Sequence, residues 1–470
     1  MMFLFLKGGT PMNLLVALVV TLWVGFLVYK RYKAQAVLLL AGFILLAVAH
    51  LGGYGQILAP KQATGSFFFD MFELVNSIFS SRAAKLGLNI MAVAGFARYM
   101  DHIGASRALV HIAIKPLRVI KSPYLVLSLC WILGMFIGLA INSASGLAML
   151  LMVTMYPVLV ALGVSKLSAT AAIATTLCLD WSPSDTGTIF VAELSKIDPV
   201  VYWHSYQVPV ALCVLPVGAV LHFFVQRYFD KKEGHVVVAN EDAAVNEDKM
   251  TNENLKKEAP AFFAILPIIP LALILSFSSL WISWIKMNII IAMMVGTAIG
   301  MLFQYLYTRD GKATLGDLQI FFDGMGLQMA NVVSLIVAGE TFAKGLMSIG
   351  AIDALISGAQ SSGFGGAGIT LLMTSVIAVS SIVMGSGNAP FFAFANLVPD
   401  IAAQTGVATV SMLLPMHFIA SCFRTLSPIT AVIVVSAGMA GISSFDLVKR
   451  TAIPMVGCGI TIVLANFILF

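Results

Sequence analysis

Phe96-Ala97-Arg98-Tyr99-Met100-Asp101-His102-Ile103-Gly104-Ala105 aligns without a gap to Phe342-Ala343-Lys344-Gly345-Leu346-Met347-Ser348-Ile349-Gly350-Ala351, about 245 residues later. Three further landmarks recur at nearly the same spacing: Ser182-Pro183 as Ser427-Pro428, Pro209 as Pro454, and Cys213 as Cys458. One such match arises by chance; four in one order imply two related halves. In a membrane chain, internal repeats of this size are the architecture of a secondary transporter, with its site where the halves meet.

The composition supplies the membrane. Hydrophobic residues make up 59% of the 470 residues, charged residues 10%, and mean hydropathy is +0.96. Nearly uncharged apolar runs cover 14–29, 36–49, 208–225, 261–280 and 287–307, approaching the roughly 20 residues that a helix needs to span a bilayer. A net charge of +5 then reads as topology rather than nucleic-acid affinity. The first apolar run is read as a span, not a cleaved signal, with Met12 an alternative start. Cys130, Cys178, Cys213, Cys422 and Cys458 form no CxxC pair and read as buried thiols.

Positive loops face the cytoplasm. Lys30, Arg31 and Lys33 follow the first span, and Arg107, Lys115, Arg118 and Lys121 follow the first copy of the repeat motif. The region after the second copy, 347–366, has no Lys or Arg. At the far end the bias reverses: 198–206 carries no Lys or Arg, whereas its counterpart carries Lys449 and Arg450. Opposite charge bias in homologous loops is the signature of inversion. The fold expected is therefore an all-α polytopic membrane protein of two inverted-topology repeats, 1–226 and 260–470. A polar cytoplasmic linker, 227–259, would join them. Each repeat would hold about five spans, one re-entrant hairpin and one broken helix, with both termini outside and Arg309 and Lys312 inside.

Two interruptions recur in each half. Asn142-Ser143-Ala144-Ser145-Gly146 is matched by Gly385-Ser386-Gly387-Asn388-Ala389-Pro390, each between apolar arms of hairpin length. Asp180-Trp181-Ser182-Pro183-Ser184-Asp185-Thr186-Gly187-Thr188 is matched by Arg424-Thr425-Leu426-Ser427-Pro428-Ile429-Thr430, where proline removes a helix donor. Non-helical backbone survives at membrane depth only where protein or a water-filled cavity satisfies it. Breaks of this kind expose helix N-termini, whose free N–H groups suit a carboxylate. A small-residue packing contact is the bland alternative for any one break, but four in matched order favour a site. The candidate ligand-binding residues are Asn142, Ser143, Ser145, Gly146, Ser182, Thr186, Ser386, Gly387, Asn388, Arg424, Thr425, Ser427 and Thr430.

Charges inside a membrane are costly and usually functional. Arg424 either holds a carboxylate with its fixed fork or makes an ion pair with Asp180 or Asp185. Asp180, Asp185 and Glu340 are candidate coupling-ion carboxylates for H⁺ or Na⁺; capping of the following half-helix or helix packing are their alternatives. No metal or organic cofactor is expected. His417 reads as a hydrogen-bonded core imidazole.

At these residues the chain resembles the bacterial anaerobic carriers of four-carbon dicarboxylates, the C-type branch (DcuC/DcuD-like). Gly385-Ser386-Gly387-Asn388-Ala389-Pro390-Phe391, Arg424-Thr425-Leu426-Ser427-Pro428 and Val448-Lys449-Arg450-Thr451 carry the resemblance most strongly. His102-Ile103-Gly104-Ala105, Lys121-Ser122-Pro123-Tyr124-Leu125 and Gln226-Arg227-Tyr228-Phe229-Asp230-Lys231-Lys232 extend it over nearly the whole chain. It implies a multi-pass bacterial inner-membrane carrier of fumarate, succinate, malate or aspartate, working by exchange, efflux or cation-coupled uptake. It also implies the wider ion-transporter superfamily, with paired hairpins, broken helices, elevator-like displacement and commonly a homodimer in lipid. One stretch departs: Trp181-Ser182-Pro183-Ser184-Asp185 is bulkier and more acidic than that branch leads one to expect, which puts the preferred substrate in doubt.

On this reading a dicarboxylate bridges the hairpin tips, with Asn142, Ser145, Ser386 and Asn388 as neutral donors and Arg424 neutralising its charge. In a strict exchanger the unpaired Arg424 would hinder return of the empty site. A monocarboxylate carrier or a proton/Na⁺ antiporter on the same scaffold is the alternative within transport. Ser143-Ala144-Ser145-Gly146 faintly resembles an intramembrane serine protease motif, but no partner histidine is placed and the chain has no HExxH or GxSxG. An enzyme is not expected.

Overall fold

The computed structural model describes residues 11–53, 57–58, 62–235, 259–354, 357 and 365–470. Among these residues every regular element is helical, and seven helical stretches are long and apolar enough to cross a membrane. The protein is an all-α polytopic membrane protein. Around an apolar core, polar groups are buried at helix–helix contacts while many large apolar side chains stay exposed. The helix that ends the first half exposes Leu212, Val220 and Phe224 at 59%, 53% and 61% while burying His222, Gln226 and Asp230 completely. In water that arrangement would not survive; in lipid, polar groups gather on helix–helix contacts and apolar ones face the tails.

The first half runs α1 (Pro11–Tyr29), α2 (Ala34–Leu51), α3 (Phe67–Arg82), α4 (Leu88–His102) and the amphipathic α5 (Ala105–Ile114). A hairpin follows, α6 (Pro123–Ile137) and α7 (Ala144–Thr154), then the short α8 (Tyr156–Ala161). A broken pair, α9 (Lys166–Ala174) and α10 (Thr186–Ser195), leads through α11 (Pro199–Tyr202) into α12 (Val208–Lys232).

The second half runs α13 (Ile269–Ser276), α14 (Ile289–Thr308), α15 (Gly311–Gly316), α16 (Leu318–Gln328) and α17 (Ser334–Ser348). Its hairpin is α18 (Gly366–Met384) and α19 (Asn388–Phe394), followed by α20 (Val398–Thr405). Its broken pair is α21 (Thr409–Phe423) and α22 (Ala431–Ala440), before the long α23 (Ser444–Leu469).

The elements recur in the order and spacing of the sequence landmarks. A π-helical turn joins α3 to α4 at Ala83–Gly87, and another joins α16 to α17 at Met329–Val333. A π turn carries one residue more than an α turn and resets the face the helix presents beyond it. Both following helices end at left-handed glycines, Gly104 (φ 78) and Gly350 (φ 70). α4 then meets α16 backbone to backbone: a Cβ on Gly95 would stand 2.7 Å from the Phe321 carbonyl oxygen, and one on Gly324 2.8 Å from the Gly95 Cα. These two glycines bring α4 and α16 together as one wall of the cavity described below.

Three expectations are revised. The linker does not begin at Arg227: helix continues through Lys232, and most of the remaining linker lies outside the described residues. The reason is Asp230, wholly buried, which takes hydrogen bonds from Ser165 Oγ (2.6 Å), Ser168 Oγ (2.7 Å) and Tyr124 Oη (3.0 Å). Arg450 is no loop charge either; it is 2% exposed and pairs with Asp230 at 2.9 Å and Glu233 at 2.6 Å, tying α23 to α12. Of the five thiols, Cys213 is exposed on the apolar outer surface and the other four are buried.

Candidate functional site

Four helices start at one cavity. α7 begins at the tip of the first hairpin, where Ser143 Oγ accepts the Gly146 N–H at 3.2 Å. α19 begins at the tip of the second, where Ser386 Oγ accepts the Ala389 N–H at 3.4 Å. α10 is capped by Asp185, which accepts from the Gly187 and Thr188 N–H groups at 2.7 and 3.3 Å. α22 follows Thr430, whose hydroxyl donates back to the Arg424 carbonyl. The first residues of all four line a space of about 570 Å³, within the usual range for small-molecule sites of about 300–1,000 Å³. Three of these N-termini carry no acidic residue in their first turn, whereas that of α10 is capped by the Asp185 carboxylate.

Nine of the expected residues line this cavity: Asn142, Ser143, Ser145, Thr186, Ser386, Gly387, Asn388, Arg424 and Thr430. The other four support it from behind. Gly146 supplies the N–H that Ser143 caps. Ser182 Oγ donates to the Leu139 carbonyl at 2.8 Å and contacts Ser184 Oγ at 3.0 Å, which in turn accepts Asn142 Nδ2–H at 2.9 Å. That string fixes the first hairpin tip to the broken α9–α10 segment. Thr425 Oγ1 donates to the Cys422 carbonyl at 2.7 Å, and Ser427 is buried. Among the described residues the side chains of Ser145, Thr186 and Asn388 make no hydrogen bond and remain available to a ligand.

Arg424 carries both readings that its position suggested. Its Nη2 donates to Asp180 (3.0 and 2.9 Å to the two oxygens) and to the Leu177 carbonyl at 3.0 Å, while its Nε is buried without a partner. Asp180, in turn, accepts Ser421 Oγ–H at 2.7 Å and adopts a left-handed φ of 47°. The ion pair therefore spans the halves and sits at the cavity wall.

None of the three coupling-ion candidates lines the cavity. Asp180 is spent on Arg424. Asp185 stands behind Thr186, 3.4 Å from His417 Nε2, so that histidine is a polar partner in the core rather than an isolated ring. Glu340 lies elsewhere, held by Arg82 at 2.6 Å.

Four polar cavity residues were missed: Arg98 and Asp101, exposed into the cavity from α4, Ser184, and Gln328 at the end of α16. Arg98 and Asp101 sit inside the repeat motif itself, so a signal existed, but it read as a landmark of duplication. The cavity thus holds two guanidinium groups against one carboxylate in its lining, with Asp180 behind Arg424. Trp181, on the departing stretch, turns away: it is 3% exposed and its Nε1 donates to the Met135 carbonyl at 3.0 Å.

The family model for the C4-dicarboxylate anaerobic carrier DcuC matches residues 12–470. The chain belongs to that family. Among its relatives are the probable anaerobic C4-dicarboxylate transporter of Vibrio cholerae, 35% identical over 97% of this chain and 98% of that one, and the anaerobic C4-dicarboxylate transporter of Escherichia coli K12, 36% identical over 97% and 96%. A solved structure of MtrF from Neisseria gonorrhoeae, described as illuminating a class of antimetabolite efflux pumps, superposes with a TM-score of 0.62 over 93% of this chain and 95% of that one. At 12% identity it shares the fold. The resemblance expected from the sequence is borne out, and the family is one of carriers, not enzymes.

In this carrier the second hairpin tip has no slack. A Cβ on Gly387 would stand 2.6 Å from the Ala420 carbonyl oxygen and 2.9 Å from its carbon, both backbone of α21. Gly387→Ala is expected to lower stability by about 1–3 kcal/mol, read as a lower unfolding temperature in detergent, and to displace Ser386 and Asn388.

Proposed function

We infer that the protein is a secondary carrier that binds a four-carbon dicarboxylate in this cavity and moves it across the bacterial inner membrane by alternating access. The observation that carries this reading is the convergence of four half-helix N-termini and two guanidinium groups, Arg98 and Arg424, on one polar cavity. A dianion meets backbone N–H groups at both hairpin tips, neutral donors at Ser145, Thr186 and Asn388, and a charge at each side. Helix N-termini attract anions without presenting a mobile counter-charge, which suits a ligand that must also leave. The charge bias of the loops and the matched order of elements support two halves of inverted topology.

The Arg424–Asp180 pair bears on coupling. In a strict exchanger an unpaired Arg424 would hinder return of the empty site, yet Asp180 already neutralises it at 2.9 Å. Of the two guanidinium groups at the empty site, Arg424 is thereby neutralised, so return is less costly than with both unpaired. This favours net efflux or cation-coupled uptake over obligatory exchange, with Asp185 beside His417 as the proton-binding candidate.

Binding is testable apart from transport. Anything that binds the folded state alone stabilises it by RT ln(1 + [L]/Kd), about 2.7 kcal/mol at a hundred times Kd. Succinate and fumarate are expected to raise the unfolding temperature of the purified carrier, while propionate at equal concentration leaves it unchanged. Asn388→Asp, which sets a like charge at the second tip, is expected to weaken that stabilisation at least about tenfold in apparent Kd. Equal stabilisation by propionate would favour a monocarboxylate carrier.

A further inference from the structure

The cavity is lined by one copy of the repeat motif and not by the other. From α4, residues Ala94, Ala97, Arg98 and Asp101 line it, and from the end of α16 so do Leu327 and Gln328. At the offset of the motif, Ala94 corresponds to Glu340, Ala97 to Ala343, Arg98 to Lys344 and Asp101 to Met347, all on α17. Gln328, the residue before one π turn, corresponds to Arg82, the residue before the other. None of these counterparts lines the cavity.

At the corresponding positions of the other copy stands an ion pair. Arg82 Nε donates to Glu340 Oε2 at 2.6 Å, Nη2 to Oε1 at 3.1 Å, and Nη1 lies 3.9 Å from Glu193 on α10. Where the cavity-lining copy has an alanine and a glutamine, the other copy has opposite charges that tie α3, α17 and α10 together. Lys344, one turn beyond Glu340, is exposed, and among the described residues its ammonium has no partner. It stands as Arg98 does: an unpaired cation on the corresponding face of the corresponding helix.

We propose that Arg82 and Lys344 are the carboxylate-binding cations of the route from the opposite face, and that the Arg82–Glu340–Glu193 contact closes that route in the present conformation. The proposal rests on the inverted-repeat reading of the carrier. Its chemistry is an exchange of partners: an entering dicarboxylate offers Arg82 the same bidentate acceptor that Glu340 provides, so opening does not strand the guanidinium. Lys344 then meets the second carboxylate as Arg98 does on the other side. Neutral or cationic solutes offer no such exchange.

The test uses the full chain in sealed vesicles, with Cys213→Ser removing the exposed thiol and a membrane-impermeant maleimide as probe. Arg98→Cys is expected to react from one face only and Lys344→Cys from the other, with succinate slowing both. Lys344→Gln is expected to raise the KM for succinate from its own face about tenfold or more and to leave the KM from the Arg98 face unchanged. Glu340→Gln, which releases Arg82, is expected to speed labelling of Lys344→Cys severalfold. Labelling of both cysteines from the same face overturns the inverted-repeat reading. Labelling from opposite faces, with the Lys344→Gln KM unchanged on both, overturns the proposal alone.

Discussion

Arg424→Ala is expected to lower dicarboxylate uptake at least about a hundredfold, equivalent to about 2.7 kcal/mol, and to abolish the thermal stabilisation by succinate. The guanidinium is at the cavity wall, Nε has no partner, and Nη2 alone serves Asp180 and the Leu177 carbonyl. Removing it deletes a binding charge and leaves Asp180, 12% exposed at its side chain, as an uncompensated carboxylate at the site. That negative charge repels the substrate, so loss of function exceeds loss of one hydrogen bond. The two effects separate in a double variant. Asp180→Asn with Arg424→Gln removes the stranded charge and is expected to recover a normal unfolding temperature while uptake stays low. Recovery of uptake as well would assign Arg424 to structure only. Arg424→Lys is expected to be intermediate, because an ammonium lacks the planar fork.

The largest expected loss of stability lies at a residue that does not line the cavity. Arg450→Ala is expected to destabilise the fold by about 3–5 kcal/mol, measured as a fall in unfolding temperature and loss of monodispersity in detergent. Arg450 and Asp230 are 2% and 0% exposed and joined at 2.9 Å. Asp230 also anchors Ser165, Ser168 and Tyr124, so α6, α9, α12 and α23 meet at this carboxylate. Deleting one partner strands a buried charge, whereas replacing both removes the penalty. Asp230→Asn with Arg450→Met is therefore expected to recover most of the loss.

The sequence carried the polytopic fold and the hairpin tips for one physical reason. Glycine, serine and asparagine interrupt long apolar runs at 142–146 and 385–390, and lipid tolerates such breaks only around protected cavities. The broken pairs were legible for the same reason, although the first break starts earlier than Asp180: α9 ends at Ala174, where Thr175 Oγ1 turns back onto the Ala171 carbonyl at 2.8 Å. Ser182, Thr425 and Ser427 resembled their cavity-lining neighbours in composition; only the direction each side chain takes separates them, and periodicity fails at a break. Asp230 and Arg450 read as solvated charges because they sit in polar flanks, and burial is decided by helices distant in sequence. Arg98 escaped notice because it lies inside the repeat motif and read as a landmark of duplication. The π turn before α4, which sets the face that this helix presents, leaves no clear mark on the chain.

The most direct measurement is uptake of labelled succinate by the purified protein in liposomes, with internal succinate present or absent. The result expected is saturable uptake, competed by fumarate and malate but not by propionate, proceeding into empty liposomes when a pH or Na⁺ gradient is imposed, and absent in Arg424→Ala. No saturable dicarboxylate flux under either condition, from a protein that is folded in the membrane, would contradict the assignment of this cavity to four-carbon dicarboxylates.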